Sequence, residues 1–343
     1  MPAQRIVVIG ASAGGVKALS EIARGLPANF AAPVFVVIHV PPESRSILPE
    51  ILSRRGHLRA KHAEDGERYK AGVIYVAPPD RHMMIHGDTI SIERGPREKR
   101  HRPAIDPLFR SAATAHSAAV IGVILTGSLD DGTAGLLAIK QGGGIAIVQD
   151  PADAIHASMP QSAIENVDVD FTLPVRQISR KLVDLTAHEM PASPRRAARL
   201  EVMEMENRIS EMEGKTLQDD DRPGQPSAFS CPDCGGVLWE IDDGNYVRFR
   251  CRVGHPLSPE SMLGAQSDVL EEALFSALKT LEESARLSKR LADNERARKH
   301  EWLAMRFEAR ERDARERAEV IRRVLISGTS EVPEANEEEL EHA

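Results

Sequence analysis

Ile6-Val7-Val8-Ile9-Gly10-Ala11-Ser12-Ala13-Gly14-Gly15 is the stretch on which the fold turns. Four consecutive β-branched residues, with no polar alternation, read as a strand buried on both faces, as in a parallel sheet covered by helices. The glycines behind it open a helix whose apolar Val16, Leu19, Ile22 and Ala23 recur at helical spacing. Outward from there the same alternation repeats. Residues 34–38, 73–76, 120–125 and 145–148 read as further strands, and Ile47, Leu48, Ile51 and Leu52 mark another helix. Residues 83–92, with His86-Gly87-Asp88 in the middle, read as a hairpin inserted into this pattern. The fold class expected is α/β, a doubly wound and mostly parallel sheet over residues 1–187.

Beyond residue 187 the pattern changes. A charged helix and a polar linker are expected over 188–228, with the linker running from Gln218 to Ser227. All three cysteines then fall in one short module, 229–263. Residues 264–328 read as a pair of antiparallel helices, helical from Ser267 to Ile326 and turning at Asp293-Asn294, and 329–343 as an acidic, disordered tail. The alternating Arg and Glu residues between Arg306 and Arg323 read as a solvated helix face. A length of 343 residues accommodates these parts as separate folding units.

Composition excludes several function classes. A net charge of −8 and only 4% aromatic residues leave neither the basic footprint of a duplex binder nor the stacking platforms of a single-strand binder. No apolar run approaches the roughly 18–20 residues of a membrane span. The N-terminus lacks a signal-peptide core, so the cytoplasm is the expected compartment. Three cysteines cannot make a disulfide framework.

A serine flanked by small residues on a strand-to-helix turn can project its hydroxyl above the sheet, where the helix also aims its free N–H groups. A phosphate loop is the competing reading. It wants G-x-G-x-x-G and an acidic end to the second strand, whereas here the middle position is Ser12 and the second strand ends in His39. His39 lies at the same carboxyl edge as Ser12; His82, His86 and His101 sit in loop or hairpin settings and are weaker candidates for a base. Asp130-Asp131-Gly132 follows the strand ending at Leu125, so an aspartate reaches that edge too. A base histidine needs such a carboxylate, and the helix that follows needs a cap; two adjacent aspartates allow both. The order Ser, His, Asp differs from that of α/β-hydrolases.

Jointly these residues resemble a known family. Ile9-Gly10-Ala11-Ser12-Ala13-Gly14-Gly15, Ile38-His39-Val40-Pro41-Pro42 and Leu125-Thr126-Gly127 through Asp131-Gly132 are similar to the catalytic domain of the chemotaxis protein-glutamate methylesterases (CheB-type). Glu64-Asp65-Gly66, Tyr75-Val76-Ala77-Pro78, His101-Arg102-Pro103 with Asp106, and Ser158-Met159-Pro160 match in the family's order, over about residues 5–187. The resemblance implies hydrolysis of glutamyl methyl esters on chemoreceptor helices, in many members with deamidation of receptor glutamines, and no cofactor for catalysis. It also implies Ser12 as nucleophile, His39 as general base and Asp131, rather than Asp130, as the carboxylate that orients it. Two departures stand out. Ser128-Leu129 replaces the family's Met-Gly in the loop where the resemblance places oxyanion donors. A first strand at Ile6 leaves no place for an N-terminal receiver, so control is expected in trans or from the C-terminal half, with the catalytic edge open and little changed by truncation near Ala187.

Cys231-x2-Cys234-x16-Cys251-x3-His255 has the ligand spacing of a zinc ribbon, and one structural zinc is expected there. A module this small needs such a staple. The C-terminal helices are expected to pair with each other, to pack in an oligomer, or to meet receptor helices. The competing reading of the whole chain is a non-catalytic adaptor of a chemosensory complex that uses the same fold and zinc module for binding, favoured only by Ser128-Leu129.

Overall fold

The computed structural model of the chain describes residues 5–43, 45–187, 200–211, 224–244 and 246–327. Residues 5–187 alternate strand and helix. In order come β1 (Ile6–Ala11), α1 (Gly15–Gly25), β2 (Val34–Ile38), α2 (Leu48–Arg55), β3 (Arg59–His62), β4 (Val73–Val76) and the hairpin β5 (His82–His86) and β6 (Thr89–Glu93). Then follow α3 (Ile105–His116), β7 (Val120–Ile124), α4 (Thr133–Gln141), β8 (Ile145–Gln149), α5 (Ser158–Asn166), β9 (Phe171–Leu173) and α6 (Val175–Thr186). Seven strands form one parallel sheet in the order β3-β4-β2-β1-β7-β8-β9. The central strands β1, β2 and β7 are buried along their whole length, which is why they carry unbroken apolar runs. Edge strand β3 is polar and partly exposed, with Arg59, Lys61 and His62, and so discourages further pairing.

Helices α1, α2 and α6 cover one face through Leu19, Ile22, Leu52, Ile178 and Leu182. Helices α3, α4 and α5 cover the other through Leu108, Phe109, Leu136 and Met159, joined by Met83, Ile85 and Ile90 of the hairpin. The chain leaves β1 toward β2 on one side and returns to β7 on the other. That reversal opens a crevice at the carboxyl edge beside β1, where doubly wound sheets bind ligands.

After α6 the described chain resumes with α7 (Leu200–Ser210) and an antiparallel four-stranded sheet, β10 (Gln225–Ser230), β11 (Val237–Asp242), β12 (Val247–Cys251) and β13 (Pro256–Leu257). Gln225 to Ser227, read from sequence as linker, belong to edge strand β10, because backbone pairing to Trp239 and Glu240 overrides their polar character. The rest of the linker, residues 218–223, and the acidic tail 329–343 lie outside the described residues. The chain divides into two compact units, Met1–Ser261 and Met262–Ala343, so the cysteine-bearing sheet belongs to the first.

The described residues of the second unit form α8 (Pro259–Ala297), which begins just before it, and α9 (Glu301–Ser327). The sequence expectation of a helix opening near Ser267 and a turn at Asp293-Asn294 is corrected at both ends. Ser258 receives the Ser261 amide at 3.0 Å and Pro259 takes the first helical position, a start signal eight residues earlier in the chain. At the far end Arg298 N–H bonds back to the Asn294 carbonyl, and strong helix formers on both sides carry Asp293 and Asn294 through to Ala297. The reversal falls at residues 298–300, with Lys299 in a left-handed conformation. The expected solvated face of Arg and Glu is present, with pairs Arg315–Glu311 and Arg317–Asp313.

Candidate active site

Ser12 sits immediately beyond β1, and backbone bonds from both neighbouring strands hold it there. Its amide donates to the Thr126 carbonyl at 3.0 Å, and the His39 amide donates to the Ala11 carbonyl at 3.3 Å. Two glycines let the turn form. Gly14 caps α1 at a φ of +77°, open to few other residues. At Gly127 a Cβ would lie 2.8 Å from the Ser12 Cβ and 2.7 Å from the Met159 terminal methyl, so only glycine admits this close approach.

Three side chains meet at this edge. Ser12 Oγ lies 3.0 Å from His39 Nδ1, and His39 Nε2 lies 2.7 Å from Asp131 Oδ2. Asp131 is buried and accepts two further N–H groups at the start of α3, from Ile105 at 2.7 Å and Asp106 at 3.3 Å. Burial opposes its ionisation, but the hydrogen bond to His39 and the nearby charges of His39 and Lys99 hold its carboxyl well below the usual range. A carboxylate at Nε2 fixes that nitrogen as the donor, which leaves Nδ1 free to accept the serine proton. The ring of His101 stacks on that of His39, centroids 3.6 Å apart and planes within 9°. Burial and the adjacent His39 push His101 down to about 4, so it packs there as a neutral ring. Of the other histidines read as weaker candidates, His82 is buried between the Pro96 carbonyl and the Ala104 amide, and His86 pairs with Glu211.

Asp130 does not do what the sequence suggested for the second aspartate. Gly132 occupies the cap position of α4 with no side-chain bond, and Asp106 of α3 accepts the Gly135 amide at 2.6 Å instead. The Asp130 carboxylate faces the other way and binds Lys99 Nζ and the Tyr246 hydroxyl, each at 2.7 Å. Lys99, only 3% exposed, also pairs with Asp106 at 3.1 Å. Local capping chemistry loses here to a buried cation that needs carboxylates around it.

Tyr246 precedes β12, so the cysteine-bearing sheet is docked on the back of the loop between β7 and α4. A second buried cluster joins it to α3 and α7. Glu98 pairs with Arg110 at 3.0 Å, Glu206 pairs with Arg248 and with Arg250 at 3.2 Å, and Arg110 Nε donates to Asn207. The polar composition of the linker from Gln218 to Ser227 carries no sign of this dock. The docking residues are polar and scattered over 150 positions, so no periodicity announces them. Lys99, Tyr246, Glu206 and Arg248 were missed for that reason.

An open groove of about 890 Å³ runs from Ser12 and His39 between α1 and α2. Lys17, Arg24, Arg54 and Arg55 line it against a single acid, Glu21. In the loop after β7, Leu129 stands at a φ of +61° where the resembled family carries glycine. The Gly127 amide donates to the His156 carbonyl at 3.0 Å, so it is already engaged.

Comparison with known proteins bears on the same region. The CheB methylesterase family profile matches residues 7–182. The chain belongs to the CheB methylesterase family. A Leptospira interrogans protein bearing a protein-glutamate methylesterase/protein-glutamine glutaminase name is 41% identical over 185 residues, 54% of this chain and 96% of that protein. The Thermotoga maritima protein-glutamate methylesterase/protein-glutamine glutaminase is 38% identical over 185 residues, and this CheB-family chain spans about half of its length, 54%. The crystal structure of the Thermotoga maritima CheB methylesterase catalytic domain superposes with a TM-score of 0.52 at 38% identity, covering 53% of this chain and 98% of that one. The cysteine-bearing sheet and the helical pair fall outside the CheB match.

Proposed function

We propose that this chain is a serine hydrolase that removes methyl esters from glutamate side chains of chemoreceptor proteins, and that it deamidates receptor glutamines at the same site. The observation that carries the reading is the hydrogen-bonded series Ser12, His39, Asp131 at the mouth of a basic groove. In the first half-reaction Ser12 Oγ attacks the ester carbonyl while its proton passes to His39 Nδ1. That proton then goes to the departing methoxide, which leaves as methanol. Water attacks the resulting glutamyl-serine ester, His39 again takes and returns the proton, and a free carboxylate is released. With glutamine the leaving group is ammonia. Asp131 keeps the imidazole in the required tautomer and stabilises the imidazolium. We assign the oxyanion donors to the amides after Ser12 at the start of α1, since Ala13, Gly14 and Val16 line the groove and the positive end of the helix lies there. The four basic residues of the groove suit an acidic substrate segment.

We also assign a structural zinc to Cys231, Cys234, Cys251 and His255. Their ligand atoms all lie within 4.8 Å of one another. A tetrahedral site with zinc at about 2.3 Å from each sulfur sets sulfurs about 3.8 Å apart. Cys234 and Cys251 sulfurs are 3.6 Å apart, and His255 Nδ1 is 3.4 Å from Cys251. Four filled positions leave none open for substrate, so the ion would cross-link the turn after β10 to the turn between β12 and β13. Elemental analysis of protein purified without chelator is expected to give one zinc per chain; none would overturn the assignment.

No described helix is long and apolar enough to cross a membrane. Action on the cytoplasmic parts of receptors completes the proposal. The experiment is turnover of a methylated receptor fragment by purified full-length protein and by Ser12→Ala. The substitution is expected to lower the rate by roughly 10³-fold or more with the melting temperature unchanged. Comparable methanol release by both proteins would refute it.

A further inference from the structure

A closed ring of polar contacts lies directly behind Asp131. The Tyr246 hydroxyl donates to Asp130 Oδ2 at 2.7 Å and accepts from Lys99 Nζ at 3.0 Å. Lys99 donates to the same Oδ2 at 2.7 Å and to the Asp130 carbonyl at 3.0 Å, and pairs with Asp106. Asp106 is lifted to about 6 by burial and by the charge of Asp131, against the pull of Lys99. Two carboxylates thus share one buried cation, whose charge also acts on Asp131. Such a cluster keeps one geometry only while its lone pairs and protons are matched.

The loop that carries Lys99 is the mechanical link. Lys99 and Arg100 both adopt left-handed backbone conformations, with φ of +46° and +70°. Non-glycine residues hold such angles only when the surroundings enforce them. Backbone bonds between Glu98 and His101, at 3.1 and 2.9 Å, close this turn, and the cysteine-bearing sheet clamps it: the Pro256 carbonyl of β13 accepts the Lys99 amide at 3.1 Å, and Tyr246 holds the Lys99 side chain. The next residue along, His101, is the ring stacked on His39. One loop, clamped from behind, therefore sets both the wall of the base and the charge behind its carboxylate.

We propose that Tyr246 is a positioning residue for the hydrolytic site, fixing Asp131 through Asp130 and Lys99 and making the docked sheet part of the working enzyme. This rests on the assignment of Ser12, His39 and Asp131 above. Tyr246 is 4% exposed and does not line the substrate groove, so its effect belongs to the chemical step and not to binding. Burial pushes its phenol far above the ordinary value, so it remains a donor throughout the working pH range.

The test compares full-length wild type, Tyr246→Phe and Ser12→Ala. Phenylalanine keeps the ring and its packing and removes only the hydroxyl. Each protein is assayed for kcat and KM on methylated receptor fragment and for the rate of serine labelling by a fluorophosphonate probe, well below its own melting point. Tyr246→Phe is expected to lose roughly 10- to 100-fold in kcat with KM within about twofold, and labelling slows in parallel. A merely structural role would lower the melting temperature and leave kcat and labelling of the folded protein intact. That result, beside an inactive Ser12→Ala, overturns this inference alone. Full activity of Ser12→Ala overturns the assignment of the site, and this inference with it.

Discussion

Two surfaces meet the loop between β7 and α4, and they are built from opposite chemistry. Toward the groove the chain presents small residues, tight turns and one serine–histidine–aspartate series, with solvent beside it. Toward the docked sheet it buries Glu98, Lys99, Asp106, Arg110, Asp130, Glu206, Arg248 and Arg250. Strand order alone produces the first surface, since three adjacent parallel strands must end at one edge. The second exists only when segments more than 100 residues apart are in place together. Breaking one partner of a buried pair is far more damaging than the pair's net worth, because it strands a charge. The dock is thus intolerant of change although it contributes no reacting atom.

The sharpest way to separate the two surfaces is the adjacent aspartate pair, one residue facing each side. Asp131→Asn is expected to lower turnover roughly 10³- to 10⁴-fold, because an amide cannot support the imidazolium and favours the wrong tautomer. Asp130→Asn keeps an oxygen for Tyr246 and Lys99 but loses the charge. It is expected to lower turnover about tenfold, with stability falling by about 3 kcal/mol. Steady-state rates and urea midpoints of the two variants check this, and equal rate losses would erase the distinction.

Acid should dissolve the two surfaces in separate steps. His101, held near 4 by burial and by His39, binds fewer protons folded than unfolded. Its contribution is complete above the ordinary histidine range and is lost as pH falls from about 6.5 toward 4. Glu206 is pulled down to about 2 against the effect of burial by Arg248, Arg250 and Arg110. Its contribution is present above about 4.3 and disappears only as pH falls toward 2. Melting temperature against pH is expected to fall in two phases, with the upper phase removed by His101→Phe and the lower by Glu206→Gln. A single transition unaffected by either variant would show that the surfaces titrate together.

The smallest effect belongs to the groove side. Leu129 holds a left-handed conformation that glycine adopts freely. Leu129→Gly is expected to change stability by no more than about 1 kcal/mol, with relief of strain offset by the greater freedom of the unfolded chain. Turnover should stay within about threefold, because the donors assigned to the oxyanion lie at the start of α1. Thermal melts and kcat measure both quantities. A rise of tenfold or more would show that Leu129 distorts the oxyanion site.

The unbroken apolar run at residues 6–9, the glycines that follow and the positions of Ser12, His39 and Asp131 after successive strands were legible in the sequence. Period and turn chemistry are local properties, and a parallel sheet converts strand ends into neighbours automatically. The gathering of Cys231, Cys234, Cys251 and His255 at one place was legible for the same reason, since two short loops carry them. The start of α8 was written in Ser258-Pro259 and overlooked. The role of Asp130 was not written locally at all: an aspartate before a helix is an ordinary cap until a lysine and a tyrosine from distant segments compete for it. Tertiary structure alone decided that the cysteine-bearing sheet docks behind Asp131. That contact is held by charge pairs, which follow no period along the chain and become favourable only once both surfaces have excluded water.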